Sequence, residues 1–215
     1  AGHRVSIYEK NEKLGKKIYI TGKGRCNVTN GCAVEDFFSH VVTNGKFLYS
    51  AVYGFTNTDL MALLEESGCP LKVERGERVF PVSDKSSDII AAWNRRLKKD
   101  GVEIHLNEPV SEILTEDGRA VGILLEKGRR RVLADAVILA TGGLSYPSTG
   151  STGDGYRFAK ETGHTVTELS PALVPFTCKE EDVKAMQGLS LRNIEATVRD
   201  GKKVIWKEFG EMLFT

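Results

Sequence analysis

The segment from Lys16 to Asn30, KKIYITGKGRCNVTN, concentrates residue types that can hold a nucleotide. Its glycines, Gly22 and Gly24, permit positive φ and a close approach of the backbone to a ligand. The polar side chains are cations that can face phosphates and groups that can hydrogen-bond a heterocycle: Lys16, Lys17, Lys23 and Arg25, and Thr21, Asn27, Thr29 and Asn30. The P-loop pattern is not met. By composition, a solvated loop whose Asn and Thr side chains bond their own backbone is an equal alternative.

Glu9 closes a short apolar strand, VSIY, and an acid in that position can bind a ribose. In dinucleotide-binding βαβ units, the acid that ends the second strand accepts hydrogen bonds from ribose hydroxyls, about 20 residues after a glycine fingerprint. Only eight residues precede Glu9, so the fingerprint is not among these 215 residues. The alternative is an ordinary surface glutamate at the end of a strand.

Two further segments combine glycines with hydroxyl side chains. The run ADAVILATGG predicts a parallel strand, buried on both faces, that brings Thr141 and Gly142 to the edge where open α/β sheets bind ligands. STGSTGDGYRFAKETG predicts a loop and then a helix whose N-terminus can hold an anion. Asp154 as the helix cap argues against the anion, because a carboxylate then occupies the positive end. A flexible loop with a capped helix is the alternative.

Composition excludes several classes of protein. Thirty Lys and Arg against 29 Asp and Glu leave a net charge of +1, which favours neither nucleic acid nor an anionic membrane as partner. There is no apolar run of 18 residues and no signal or transit peptide. Four cysteines and four histidines are scattered, so we expect no disulfide framework and no metal site. Reduced thiols fit a cytoplasmic location, and Cys26 lacks the neighbours that activate a redox thiol.

The remaining segments predict an α/β fold. Helices are expected over NTDLMALLEESG, with Thr58 or Asp59 as cap, and over SSDIIAAWNRRLKKDG, with a serine cap. The strand VEIHL follows, and residues 109–135 alternate as a three-stranded β-meander with turns at Asp117-Gly118 and Lys127-Gly128. Beyond Pro171, the segments ALVPFTC, NIEATVRDGKKVIW and EMLFT predict strands joined by an Asp-Gly turn.

In their order along the chain, these segments resemble one family, the BaiN-like flavoproteins. These are bacterial FAD-dependent oxidoreductases related to the glutathione-reductase-type two-dinucleotide-binding fold. The resemblance runs through essentially all 215 residues, and GKGRCNVTN and TGSTGDGY are its specific segments. It implies roles for matched positions: Glu9 on the FAD ribose, Thr141 and Gly142 near the adenosine half, Val110 on adenine through its backbone, and Lys16, Lys17 and the loop from Thr21 to Asn30 (with Gly22, Gly24 and Arg25) beside the pyrophosphate and flavin.

The resemblance also implies an organisation. Residues 1–170 are expected to form a partial Rossmann-like FAD-binding domain with a β-meander, and residues 171–215 to begin a mostly β inserted substrate domain. Both ends look cut, so we expect an internal fragment without the glycine fingerprint. Because that fingerprint supplies the helix N-terminus that neutralises the pyrophosphate, we expect these 215 residues alone to bind FAD poorly and to be inactive.

The implied activity is hydride transfer between FAD and a small organic substrate, in its specific form the reduction of a conjugated C=C bond with NAD(P)H as donor. The flavin carries such chemistry, so a dedicated acid or base is hard to identify, and Arg25 and Asn27 are the candidates for polarising substrate or flavin. Two alternatives stay open. One is a flavoprotein that acts on or binds RNA, supported by the basic loop and the arginine run 129–131 and opposed by the near-zero charge. The other is an NAD-binding dehydrogenase without flavin.

Overall fold

The computed structural model describes residues 2–171 and 174–215, and the chain divides into two compact units, Ala1–Val166 and Thr167–Thr215. The larger unit is a mixed α/β assembly, and the smaller one is built on a β-hairpin. This division lies four residues before the predicted domain boundary. The role of the second unit as an inserted substrate domain stays a prediction.

A parallel βαβ unit opens the larger unit. Strand β1 (Ser6–Glu9) pairs in parallel with β5 (Glu103–Leu106), and Glu9 lies opposite Leu106. Helix α5 (Ser86–Lys99) lies between them in the chain and buries Ile89 and Ala92. Parallel strands need such a crossover, which brings their carboxyl ends to the same edge of the sheet. Glu9 therefore stands at that edge, as the sequence predicts.

Short elements fill the connection from β1 to α5. In chain order they are α1 (Lys16–Ile20), β2 (Thr29–Asn30), α2 (Val34–Phe37), α3 (Tyr49–Gly54), α4 (Asn57–Glu66), β3 (Leu71–Glu74) and β4 (Arg78–Pro81), with 3₁₀ turns at Thr21–Gly24, Phe38–His40 and Gly45–Leu48. Strands β2, β4 and β3 form an antiparallel sheet in that order. Of these elements, the sequence predicts α4 alone.

The main core joins the loop before β2 to helices α4 and α5. Its buried residues are Cys26, Leu64, Cys69, Ile89 and Ala92, and Ile18, Val28, Leu60, Leu71 and Trp93 pack around them. Leu64 and Ile89 come from the apolar faces of the two periodic helices, which explains why the pattern of those helices is readable in the sequence. The core anchors the glycine loop through Cys26.

The predicted meander is present and runs through β6 (Val110–Glu116), β7 (Arg119–Leu125) and β8 (Arg131–Leu133). These strands pair in chain order and antiparallel. Asp117 and Gly118 form the first turn, both at positive φ, and a 3₁₀ turn at Lys127–Arg129 forms the second. A 3₁₀ turn at Pro147–Thr149 then precedes helix α6 (Asp154–Glu161).

The strand predicted over ADAVILATGG is wrong. Residues 136–143 have no regular secondary structure, and no strand pairs with them in the part of the chain that the structure describes. Ile138 is 89% exposed. A continuous apolar run becomes a buried strand only between neighbouring strands, and the parallel sheet here consists of β1 and β5.

Three predicted helix caps are also wrong. Helix α4 is capped by Thr56, not by Thr58 or Asp59: the Thr56 hydroxyl accepts from the Asp59 N–H, and the Asp59 carboxylate accepts from the Thr56 N–H in return. Lys85 precedes α5 as the cap residue, and Ser86 lies inside the helix. Gly153 at φ 84° is the cap of α6, so Asp154 belongs to the first turn.

The smaller unit contains α7 (Asp182–Ala185) and the antiparallel hairpin of β9 (Ser190–Asp200) and β10 (Lys203–Leu213). Its turn at Gly201, with φ 54°, confirms the predicted Asp-Gly turn. For the predicted strand ALVPFTC, Ala172 and Leu173 lie outside the described residues, and residues 174–178 form no strand. The segment EMLFT continues β10 up to Leu213.

Candidate functional site

The carboxyl end of β1 carries an oriented carboxylate. Glu9 Oε1 accepts hydrogen bonds from the backbone N–H of Asn11 and from its side-chain Nδ2, both at 2.8 Å. The same Nδ2 donates to the carbonyl of Thr149 at 3.1 Å. Asn11 therefore ties the acid-ended strand to the segment that precedes α6.

A second tie joins the same two segments. Lys10 Nζ lies 2.6 Å from Thr152 Oγ1 and 2.7 Å from Asp154 Oδ2. Burial raises the pKa of the Asp154 carboxyl, but the hydrogen bond and charge of Lys10 outweigh that effect and hold this pKa below its ordinary value. Asp154 is thus an ionised partner of Lys10, the residue that follows β1.

Glycines permit the close packing of the segments 141–143 and 149–155. A Cβ on Gly150 would lie 2.5 Å from Asn11 Nδ2, and a Cβ on Gly155 would lie 2.7 Å from Thr141 Oγ1. Gly142 has a φ of 73°, and its Cβ would lie 2.9 Å from the hydroxyl oxygen of buried Ser151. The two glycine-rich segments therefore contact each other and the end of β1. The sequence does not predict this contact.

The glycine loop from Thr21 to Cys26 has an unusual backbone. Gly22, Lys23, Gly24 and Cys26 all have positive φ, between 57° and 86°. The N–H of Cys26 donates to the carbonyl of Thr21 at 2.9 Å and closes the loop on itself. Positive φ is costly for Lys23 and Cys26 because their Cβ atoms crowd the backbone. Surrounding contacts must therefore hold this conformation.

Arg25 is engaged by two carboxylates. Its guanidinium lies 2.5 Å from Glu74 Oε1 and 2.5 Å from Asp84 Oδ1, and it stacks 4.1 Å from the centre of the Phe80 ring. Lys72 Nζ completes the group at 2.8 Å from Asp84 and 3.3 Å from Glu74. We call Arg25, Lys72, Glu74 and Asp84 the Arg25 network.

Hydrogen bonding sets the protonation of the Arg25 network. The bond from Lys72, followed by that from Arg25, lowers the pKa of Asp84, and the bond from Arg25 lowers the pKa of Glu74. The same bonds raise the pKa of Arg25, with Glu74 as the larger cause. Two cations and two carboxylates are therefore all ionised at neutral pH. The guanidinium of Arg25 is therefore bound by Glu74 and Asp84, whereas the sequence predicts that it polarises the substrate or the flavin.

The other predicted site residues lie as follows. Lys16 pairs with Glu12 at 3.3 Å, and Lys17 donates to the carbonyl of Ser145 and lies 5.3 Å from the centre of the Tyr146 ring. The Thr21 hydroxyl donates to the carbonyl of Lys17. Asn27, with its amide nitrogen turned toward the carbonyls of Val79 and Thr29, donates to them at 3.2 and 3.0 Å. Val110 starts β6 opposite Leu125.

Two apolar cavities lie near these elements. One of about 230 Å³ is lined by Thr29 and Asn30 of β2, by Cys32 after it, and by side chains of α2, α3 and α4, among them Phe37. The other, of about 400 Å³, lies beside α5 and β5 and is lined by Tyr19, Ile90 and Ile104 among others.

A family model of known proteins, described as HI0933-like protein Rossmann domain, matches residues 1–212 of this sequence. The chain belongs to the HI0933-like family. This match confirms the resemblance to flavoproteins found in the sequence and the Rossmann-like α/β fold class.

Two curated relatives are similar to the HI0933-like chain over nearly its whole length. The 3-dehydro-bile acid delta(4,6)-reductase of Clostridium scindens is 30% identical over 212 residues, which cover 99% of this chain and 50% of the relative. The ribosomal RNA dihydrouridine synthase of Haemophilus influenzae is 30% identical over 218 residues, which cover 100% of this chain and 52% of the relative. The HI0933-like chain therefore spans about half the length of the curated relatives it matches.

Solved structures agree with the fold of the HI0933-like chain. A quinol-fumarate reductase, solved with menaquinol molecules, superposes with a TM-score of 0.57 at 19% identity. The superposition covers 88% of this chain and 39% of the reductase chain. At that identity the likeness concerns the fold. Among residues 2–171 and 174–215, no helix combines the length and apolar character needed to cross a membrane.

The side chains that orient the candidate site residues are not recognisable in the sequence. Asn11, Lys10, Glu74 and Asp84 all act on residues far away in the sequence, and only the fold brings them together. A local signal existed for one element: LKVERGERVFP contains a glycine turn between two short alternating runs, which is the pattern of the β3–β4 hairpin. That hairpin supplies Glu74.

Proposed function

We propose that the whole protein is an FAD-dependent reductase that adds hydrogen across a carbon–carbon double bond conjugated with a carbonyl group. The observation that carries this proposal is the oriented carboxylate of Glu9 at the carboxyl end of a parallel strand. Two glycine-rich segments converge there, and ligands of open α/β sheets bind at that edge. Membership of a Rossmann-domain family supports a dinucleotide as the ligand.

The donor and acceptor chemistry at this edge fits FAD. Asn11 occupies Glu9 Oε1, and Oε2 has no side-chain donor in the part of the chain that the structure describes, so Oε2 is the acceptor for a ribose hydroxyl. Thr141 and Gly142 would line the adenosine half, and Val110 would meet adenine through its backbone. Gly22 and Gly24 would let the glycine loop approach the flavin, with Lys16 and Lys17 on its phosphate side.

FAD, once bound and reduced by a hydride from NAD(P)H, would supply hydride transfer: one carbon of the double bond would gain the hydride and the other would gain a proton from solvent. A delta(4,6)-reductase of a 3-dehydro-bile acid and a dihydrouridine synthase share this reaction type. The apolar cavity beside Thr29 and Asn30, at about 230 Å³, has room for a single six-membered ring that carries the double bond.

The test is a spectrum followed by a turnover assay on the purified whole protein. We expect the visible absorption bands of oxidised flavin, bleaching under NAD(P)H without oxygen, and return of the bands when a steroid enone is added. Glu9→Gln is expected to weaken FAD binding about tenfold, because a charged acceptor binds hydroxyls more strongly than an amide does. Glu66→Gln, an exposed change at the end of α4, serves as the control.

A colourless protein that binds NAD would contradict the proposal and favour the dehydrogenase without flavin. A flavoprotein that NAD(P)H does not bleach would remove the donor from the proposal. Equal FAD affinity of Glu9→Gln and Glu66→Gln would remove Glu9 from the site.

Reduction of uridine in RNA is the second candidate function, favoured by the ribosomal RNA dihydrouridine synthase of H. influenzae among the relatives. Two observations oppose it in this chain. The net charge is +1, and Arg130 and Arg131 of the arginine run face Glu108 and Glu116 at 3.8 and 3.5 Å. RNA retention that falls steeply with salt, together with dihydrouridine formation under NAD(P)H, would support this candidate over the small-molecule reductase.

A further inference from the structure

The Arg25 network lies where the glycine loop meets the β3–β4 hairpin. Arg25 belongs to the loop, Lys72 and Glu74 to β3, and Asp84 to the segment after β4. Arg25 reaches Asp84 through both Nε, at 2.8 Å, and a terminal nitrogen. A guanidinium that bridges two carboxylates fixes both its position and its plane, which an ammonium cannot do.

Phe80 lies beneath this contact. It is 4% exposed, its ring faces the Arg25 guanidinium at 4.1 Å, and a Cβ on Gly22 would lie 3.4 Å from the same ring. The loop thus rests on Phe80 at Gly22 and is held over it at Arg25. Between these two points lie Lys23 and Gly24, with φ of 57° and 86°.

Asp84 is itself held in a left-handed conformation, with φ 56°, and its N–H donates to the carbonyl of Pro81 at 2.9 Å. Left-handed backbone is unfavourable for most residues and tolerated by aspartate and asparagine. The conformation aims one carboxylate at both Arg25 and Lys72.

We propose that the Arg25 network is a positioning device that holds the left-handed glycine loop in the shape in which it meets the flavin. Asp84 is its central positioning residue, and Arg25 acts through the loop backbone and not on the substrate. The part of the inference that concerns flavin rests on the proposed function. The part that concerns the loop rests on this chain alone.

The first arm of the test measures the loop in the 215-residue chain without cofactor. Asp84→Asn keeps the left-handed backbone and the side-chain shape and removes the charge. We expect hydrogen exchange of the amides of residues 22–27 to speed up about tenfold, because local opening loses its main restraint. Asp117→Asn is the matched control: Asp117 is an exposed aspartate with φ 49° in the meander turn, far along the chain from the loop.

Two Arg25 variants separate charge from geometry. Arg25→Gln is expected to speed exchange in the loop as Asp84→Asn does. Arg25→Lys keeps the charge without the planar fork, and we expect it to restore part of the protection. Thermal unfolding followed by far-UV circular dichroism keeps these local effects apart from loss of the fold.

The second arm uses the whole protein with FAD. Asp84→Asn is expected to raise the dissociation constant for FAD about tenfold and to shift the visible flavin bands, whereas Asp117→Asn changes neither. Unchanged exchange of the 22–27 amides in Asp84→Asn overturns the loop-holding role, whatever FAD does. Faster exchange with unchanged FAD affinity and spectrum overturns the link to flavin and leaves the proposed function standing. Failure of the unaltered protein to bind FAD would overturn the proposed function and, with it, the link to flavin.

Discussion

Cys26 meets two demands at once. Its backbone is left-handed at φ 61°, and its side chain is 5% exposed in the core beside Leu64. Burial raises the pKa of its thiol, and the nearby Cys69 thiol adds a smaller effect in the same direction. Residue 26 therefore anchors the loop as a small apolar side chain, not as a reactive thiolate.

This predicts the order of alkylation of the cysteines. At pH 8, iodoacetamide should modify exposed Cys178 much faster than buried Cys26 and Cys69, because a raised pKa leaves less thiolate and burial limits access. Mass spectrometry of tryptic peptides gives the rates, and the same reaction in denaturant is the control. Equal rates for Cys26 and Cys178 in the folded chain would contradict the anchoring role.

A second prediction at this scale concerns Leu64, which is fully buried. Leu64→Ala should lower the free energy of unfolding by about 2–5 kcal/mol, because it removes apolar contacts and leaves a cavity. Val42→Ala, at a side chain that is 99% exposed, should change it by less than about 0.5 kcal/mol. Urea unfolding followed by circular dichroism gives both values. Similar losses would mean that Leu64 does not lie in the core.

At the scale of elements, helix α4 shows how a cap is chosen. The sequence predicts Thr58 or Asp59 as the cap, whereas the structure uses Thr56, with Asp59 as its partner in a reciprocal capping box. The hydrogen bond from the Thr56 N–H, followed by that from its hydroxyl, lowers the pKa of Asp59 below its ordinary value of 3.8.

Thr56→Ala should therefore destabilise the chain by about 1 kcal/mol at neutral pH. Thr58→Ala, at one of the two caps that the sequence predicts, should destabilise the chain clearly less. Because the pKa of Asp59 is lowered by folding, its contribution is present above pH 3.8 and is lost as the pH falls through the lowered value. Denaturant unfolding at pH 7 and near pH 3 should show the Thr56→Ala difference shrinking; a larger cost for Thr58→Ala would assign the cap to Thr58.

Physical reasons separate the elements that the sequence predicts from those it does not. Helices α4 and α5 have apolar residues at helical spacing, and the meander has alternating runs between glycine turns, so both are readable locally. Helices α1, α2 and α3 have only four to six residues each, too short for a period to show. The run 136–140 has the composition of a central strand, but composition does not reveal whether neighbouring strands exist.

The same distinction holds for the candidate site. Residue types at the end of β1 and in the glycine loop are visible in the sequence, whereas the partners Asn11 and Asp84 depend on long-range packing. Arg25 illustrates the difference, because the sequence around it does not show that its guanidinium binds two carboxylates. Roles toward FAD stay predictions for every one of these residues.

At the scale of the whole molecule, the two compact units meet along the chain at Val166 and Thr167. Residues 164–171 and 174–180 have no regular secondary structure, and most are exposed. Exposed irregular chain is the preferred substrate of proteases.

Brief digestion of the folded chain with trypsin should therefore cut first after Lys179, which lies in this segment. Lys98, exposed in the last turn of α5, is the internal comparison, since helical backbone must unfold before it is cleaved. Mass spectrometry of the first fragments identifies the site. An earlier cut after Lys98 would contradict the description of residues 164–171 and 174–180 as accessible to the protease.

The hydrogen bond from Asn11 to Thr149 joins residues that are 138 positions apart. When β1 leaves the ribosome during synthesis, the segment of Thr149, to which Asn11 donates, has not yet been translated. The candidate ribose carboxylate thus acquires its full set of neighbours only after the segment around Thr149 has emerged. High contact order of this kind slows folding, and during synthesis it leaves the end of β1 without the Thr149 contact.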